Sequence, residues 1–135
     1  EVMAVMREPV SWLGSWYRYR QRPFMDGRPN STKGVSFDEF VDAYTRGQRP
    51  PYAEVGSQFK FLERQPNGTG VDHLFRYESQ ERLRAFLETR LEQRVNLPGI
   101  ANASPVAPME LSSETRAKLE RKCAVEFELY ESIPT

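Results

Sequence analysis

Val2-Met3-Ala4-Val5-Met6-Arg7-Glu8-Pro9-Val10-Ser11-Trp12-Leu13-Gly14-Ser15-Trp16-Tyr17 passes from an uninterrupted apolar run into a pattern of helical period. The run over residues 2–6 is too apolar for a half-exposed strand and predicts a short buried one. Pro9 suits the first position of a helix, where the N–H it lacks would have no intrahelical partner. Val10, Leu13 and Tyr17 then recur at helical spacing, with Trp12, Trp16 and Tyr19 widening the apolar surface. The helix is expected to run to about Gln21 and to be mostly buried.

Working outward, Pro23 to Gly34 reads as a loop, with two Pro-containing turns and Asn30-Ser31. Ser36-Phe37-Asp38-Glu39 has the spacing of a capping box, and Phe37, Phe40, Val41 and Tyr44 give the helix behind it one apolar face. That helix ends near Gly47, before Pro50-Pro51. A short helix is predicted over 57–63. Asn67-Gly68 signals a turn into a second strand over 72–77. Leu83, Phe86, Leu87 and Leu91 mark an amphipathic helix over 79–93. Residues 96–109, with Pro98, Pro105 and Pro108, form a long loop. A single last helix starts after the N-cap Ser112 and carries Leu119, Cys123, Phe127 and Tyr130 on one core face.

Strands alternating with helices predict an α/β layered fold, helix-rich and with few, parallel strands. Two short strands make a weak sheet by themselves. The chain also opens on Glu1 and enters the apolar run at once, which reads as a domain entered midway. The expected strand partners are therefore upstream chain or another copy.

Composition narrows the function. Lys+Arg and Asp+Glu both number 19, so the net charge is zero, which argues against a general nucleic-acid binder. Arg18, Arg20, Arg22, Arg28 and Lys33 crowd the first quarter; the bland reading of this run is a solvated helix terminus plus loop, the sharper one a protein contact. No apolar run approaches the roughly 20 residues of a membrane span, and no signal-peptide pattern opens the chain, so a cytoplasmic, membrane-free protein is expected. Three Asn-x-Ser/Thr triplets, at Asn30, Asn67 and Asn102, read as chance without a secretory signal. One cysteine and one histidine give no metal-ligand pair. The single cysteine also rules out an internal disulfide.

The chemistry-bearing segment is Arg7 to Tyr17. An arginine at the carboxyl end of a buried strand points into the crevice where open α/β sheets bind ligands. The next helix offers its unpaired N–H groups to the same place, with Ser11 and Ser15 one turn apart on one side. Arginine supplies a permanently charged fork and serine a directional donor, which together describe a phosphate or sulfate site. The competing reading pairs Arg7 with a carboxylate and leaves Ser15 as packing inside an aromatic helix.

An arginine followed by a serine eight positions later, directly after an apolar strand, resembles the 3′-phosphate-binding motif of the sulfotransferases that use 3′-phosphoadenylyl sulfate (PAPS). Two later segments are similar to that family in the same order. Asp72-His73-Leu74-Phe75-Arg76-Tyr77-Glu78 resembles its strand ending in Tyr-Glu. Glu126-Phe127-Glu128-Leu129-Tyr130-Glu131, after Asn102-Ala103-Ser104-Pro105, resembles the aromatic-acidic ending of many bacterial members. The resemblance spans most of the chain. It implies the C-terminal portion of a P-loop-type sulfotransferase fold, with PAPS and adenosine 3′,5′-bisphosphate (PAP) as ligands. Arg7 and Ser15 would hold the 3′-phosphate, Tyr77 would lie near the adenine, and Ser104 would border the nucleotide. For Tyr77 a strand-end core aromatic is the equal alternative.

The departures from the family concern activity. No lysine-bearing phosphosulfate loop follows a strand here; Lys33 stands in a loop that no strand enters, and reads as surface. His73 opens a strand and reads as structural. Sulfuryl transfer depends on positioning and on charge stabilisation at the moving group. The expectation is therefore a parent enzyme that sulfates a small-molecule, carbohydrate or other hydroxyl-bearing acceptor, or an amine, while this stretch alone is inactive. Tyr52, Gln58 and Phe59, with the loops 23–34 and 48–56, are the candidate acceptor contacts. A non-catalytic nucleotide-binding or protein-interaction domain is the rival, and a homo-oligomer is compatible with both. A P-loop kinase lacks its Gly-x-x-x-x-Gly-Lys-Ser/Thr segment here.

Overall fold

The computed structural model describes residues 1–97 and 109–135. In chain order the elements are β1 (Met3–Met6), α1 (Pro9–Tyr19), α2 (Phe37–Tyr44), α3 (Gln58–Leu62), β2 (His73–Arg76), α4 (Gln80–Leu91), α5 (Ser113–Lys122) and α6 (Ala124–Ser132), with short 3-10 turns at Pro23–Met25 and Pro51–Ala53. The chain is thus mixed α/β and helix-rich. It forms two compact units: the described residues of Glu1–Glu8, Ser57–Ala101 and Val125–Thr135, and those of Pro9–Gly56 and Asn102–Ala124.

In the first unit β1 and β2 pair in parallel, from Met3 opposite His73 to Met6 opposite Arg76. The parallel orientation expected from the sequence is found, but the partner of β1 among the described residues is β2 of this chain, where upstream chain or another copy was expected. Side chains alternate across the sheet, so Ala4, Met6 and Leu74 share one face and Met3, Val5, His73 and Phe75 the other. Met6 is buried with Tyr130 and Ile133, and Leu62, Leu74 and Leu129 pack against them. On the opposite face, Phe86 of α4 lies against His73 and Phe75, at ring-centroid distances of 4.6 and 5.2 Å. The turn before β2 closes on Gly68, whose φ of +88° is a conformation L-residues avoid.

The expectation of a fully buried first strand is corrected here. Met6 is buried, but Met3 and Val5 are 37% and 39% exposed. The cause is coverage: the α4 aromatic rests over β2, and among the described residues no aromatic ring covers the same-face residues of β1 in this way. The single C-terminal helix is also corrected. It is interrupted at Cys123, whose φ of −113° and ψ of 31° leave the helical region, so α5 and α6 are separate. The expected stripe of Leu119, Cys123, Phe127 and Tyr130 is accordingly split. The buried residues are Thr115 and Leu119 in α5, then Glu126 and Tyr130 in α6.

In the second unit α1 buries Leu13 and Tyr17, and the Tyr17 ring packs at a tilt against Phe37 and Phe40, at centroid distances of 5.4 and 5.6 Å. Ser36 caps α2 as its spacing predicts, its Oγ accepting from Glu39 N at 3.1 Å. Ser112 caps α5 in the same way at Thr115 N, 3.1 Å. Asp38 of α2 accepts from Ser112 N at 2.7 Å and from Thr115 Oγ1 at 3.0 Å, and Asp42 accepts from Lys118 Nζ at 3.0 Å. The arginine run is not a uniformly solvated terminus. Arg20 donates to the carbonyls of Pro51, Tyr52 and Glu54 at 3.0–3.2 Å, holding the Pro51–Ala53 turn to the end of α1. Burial pushes its guanidinium below the ordinary arginine value, with Glu54 opposing. Among the described residues no helix is long and apolar enough to cross a membrane.

Candidate functional site

Register explains the most suggestive contact in the first unit. Because Met6 lies opposite Arg76, the residues that follow, Arg7 and Tyr77, leave the sheet side by side at its carboxyl end. Tyr77 N donates to Met6 O at 2.9 Å, carrying the ladder one residue past β2. The Arg7 guanidinium then lies over the Tyr77 ring, 4.4 Å from its centroid. Gln58, the first residue of α3, clamps the Arg7 peptide at both ends: Arg7 N donates to Oε1 at 3.0 Å, and Gln58 Nε2 donates to Arg7 O at 3.1 Å. Both Arg7 and Tyr77 are half-buried.

A second layer stands behind this pair. Glu78 accepts from Glu8 N at 3.1 Å and from the Tyr130 hydroxyl at 2.9 Å, with the same carboxylate oxygen. Burial, reinforced by that bond to Glu78, pushes the Tyr130 phenol up to about 12. Arg76 lies over the opposite side of this layer, its guanidinium 4.4 Å from the Tyr130 ring centroid and its Nη2 donating to Tyr130 O at 3.1 Å. Two of the four predicted site residues, Arg7 and Tyr77, are therefore neighbours within one unit. The Glu78 carboxylate is the feature there that opposes an anion, and its two donors offset part of its charge.

The other two predicted residues lie elsewhere. Ser15 belongs to α1 of the second unit, half-buried and on the same side of the helix as Ser11. Ser104, with the Asn102-to-Pro105 stretch, lies outside the described residues. Of the candidate acceptor contacts, Gln58 is committed to Arg7, Phe59 N donates to the buried Glu126 at 3.2 Å, and the Tyr52 carbonyl accepts from Arg20. Lys33 is exposed and paired with Asp26 at 2.8 Å. His73 opens β2, rests on Phe86, and has Nε2 3.6 Å from Glu1 Oε2.

Sequence reasoning overlooked Gln58 as the residue that orients Arg7, and Glu78 as the acceptor that ties Tyr130 to the sheet end. Neither carries a local signal. Gln58 sits 51 residues from Arg7, and its amide fits the Arg7 peptide because an amide, like a peptide unit, offers one donor edge and one acceptor edge. No family model, curated protein or solved structure matches the chain.

Proposed function

We propose that this chain carries the nucleotide-binding portion of a PAPS-dependent sulfotransferase, in a P-loop-type α/β fold. The observation that carries the reading is the Arg7 guanidinium over the Tyr77 ring at the carboxyl end of a parallel strand pair, where α/β sheets bind ligands. A guanidinium resting by its face on a ring directs its N–H groups in the plane of the fork, the geometry in which phosphate is recognised. On this reading Arg7 binds the 3′-phosphate and Tyr77 borders the adenine. The motif also names Ser15, a residue of the second unit, and the resemblance places Ser104 beside the nucleotide. The parent enzyme then transfers a sulfuryl group to a hydroxyl- or amine-bearing acceptor in the cytoplasm. This stretch, lacking a lysine-bearing phosphosulfate loop, does not catalyse alone.

The test is titration with PAP followed by isothermal calorimetry, which reads binding at Arg7 and Tyr77 directly. Saturable binding is expected, at least tenfold weaker for AMP and for Arg7→Ala, the scale of one lost charge-assisted phosphate contact of about 1.4 kcal/mol or more. Arg7→Lys, which keeps the charge and loses the fork, should fall between. PAP and AMP binding equally would sink the reading.

One observation favours a second reading, a protein-interaction domain. Met3 and Val5 are exposed together on one face of β1, with the exposed Val2 just before the strand, an unusual placement for an apolar strand. Val5→Lys should then abolish any concentration-dependent association seen by sedimentation velocity, while leaving PAP binding untouched.

A further inference from the structure

The first unit contains a cavity of about 460 Å³ between β2 and α4, at the Asp72–His73 start of the strand and away from the Arg7–Tyr77 end. Its apolar wall is formed by Phe75 and Phe86, whose rings are tilted by 52°. Helical spacing brings Arg82, Ala85 and Phe86 to the same side of α4, and the small Ala85 leaves the space between the larger two open. The charges are distinctive. Arg84 pairs with Glu81 at 2.9 Å and Arg90 pairs with Glu1, whereas Arg82 has no ion pair among the described residues. Asp72 lines the cavity too, and its carboxylate accepts from Val2 N at 2.7 Å.

From these residues we infer that the cavity binds a planar aromatic ligand bearing one negative charge. The two phenylalanines and the imidazole of His73 supply flat apolar contact, and the volume falls within the usual range for small-molecule sites. Arg82 at the wall supplies a fork for a carboxylate, sulfonate or sulfate ester. The Asp72 carboxylate opposes a second negative charge, so a dianion is discriminated against. This inference is independent of the nucleotide reading, because it involves none of Arg7, Tyr77 or Ser15.

His73 is the only histidine, so its ring resonances report on the cavity without ambiguity. The experiment is an NMR titration of the full chain with 2-naphthoate, with 2-naphthalenemethanol, cyclohexanecarboxylate and naphthalene-2,6-dicarboxylate as comparisons. The His73 resonances are expected to shift saturably with 2-naphthoate and to respond at least tenfold more weakly to each comparison. Arg82→Gln should weaken 2-naphthoate about tenfold or more, the scale of a lost charge-assisted hydrogen bond. Ala85→Leu, which fills the opening, should abolish the shift. Both positions are exposed, so neither change disturbs a packed core, and circular dichroism of each variant is the control for folding. No saturable shift, equal binding of the neutral alcohol, or binding unchanged in both variants would each overturn the inference.

Discussion

Glu126 is 6% exposed, and a carboxylate so buried requires donors of its own. It finds two at the start of α3: the Ser57 hydroxyl, in a short hydrogen bond, and Phe59 N at 3.2 Å. Glu126→Ala leaves both donors unsatisfied and should lower unfolding stability by about 1–3 kcal/mol in urea, with Glu126→Gln recovering part. The sequence offered no way to single it out among the C-terminal glutamates, because helical spacing favoured the apolar Phe127 as the inward residue. Tyr130, one turn beyond it, was legible as core. Its raised phenol adds a consequence: the folded state keeps the proton longer than the unfolded chain. The stability from that group is complete below pH 10 and is lost as pH rises toward about 12. Tyr17, raised chiefly by burial, acts in the same direction. Tyrosinate absorbance should therefore show a late-titrating fraction among the six tyrosines, and Tyr130→Phe should remove part of it.

At the scale of elements, the caps were readable and the interruption was not. Ser36 and Ser112 do what their spacing predicts, since an N-cap is a contact between residues three apart. Ser112→Ala should cost about 1 kcal/mol, measured by thermal or urea unfolding. The break at Cys123 depends on packing demands from distant residues, which local periodicity does not carry. The contact of α2 with α5 also has a pH signature. Backbone donation from Ser112 holds the Asp38 carboxyl below its usual value, and Lys118 does the same for Asp42. Groups depressed in the folded state stabilise it above their unfolded value, near 3.8, and lose that contribution as pH falls through the folded values. Acid should loosen α2 from α5, and Asp42→Asn should make the second unit less sensitive to pH below 4.

For the whole molecule, the α/β class, the helix-rich balance and the parallel strands were all legible, because each rests on local apolar period. The division into two units, the Gln58 clamp and the exposure of Met3 and Val5 were not, because they depend on which distant segment covers which face. The chain contains natural reporters for each unit: Trp12 and Trp16 lie in the second, and His73 in the first. In an acid titration, tryptophan emission should change at higher pH than the ring-current shift that Phe86 imposes on His73. Simultaneous changes would show that the units unfold as one. The pairing of β1 with β2 has a final consequence during biosynthesis. Met3 meets His73, 70 residues later in the chain. At ribosomal rates of roughly 5–20 residues per second, the first strand waits on the order of 4–14 s for its partner to be made. Through that interval Val2, Met3 and Val5 are an apolar segment without their β2 partner, a natural target for a chaperone that holds nascent chains.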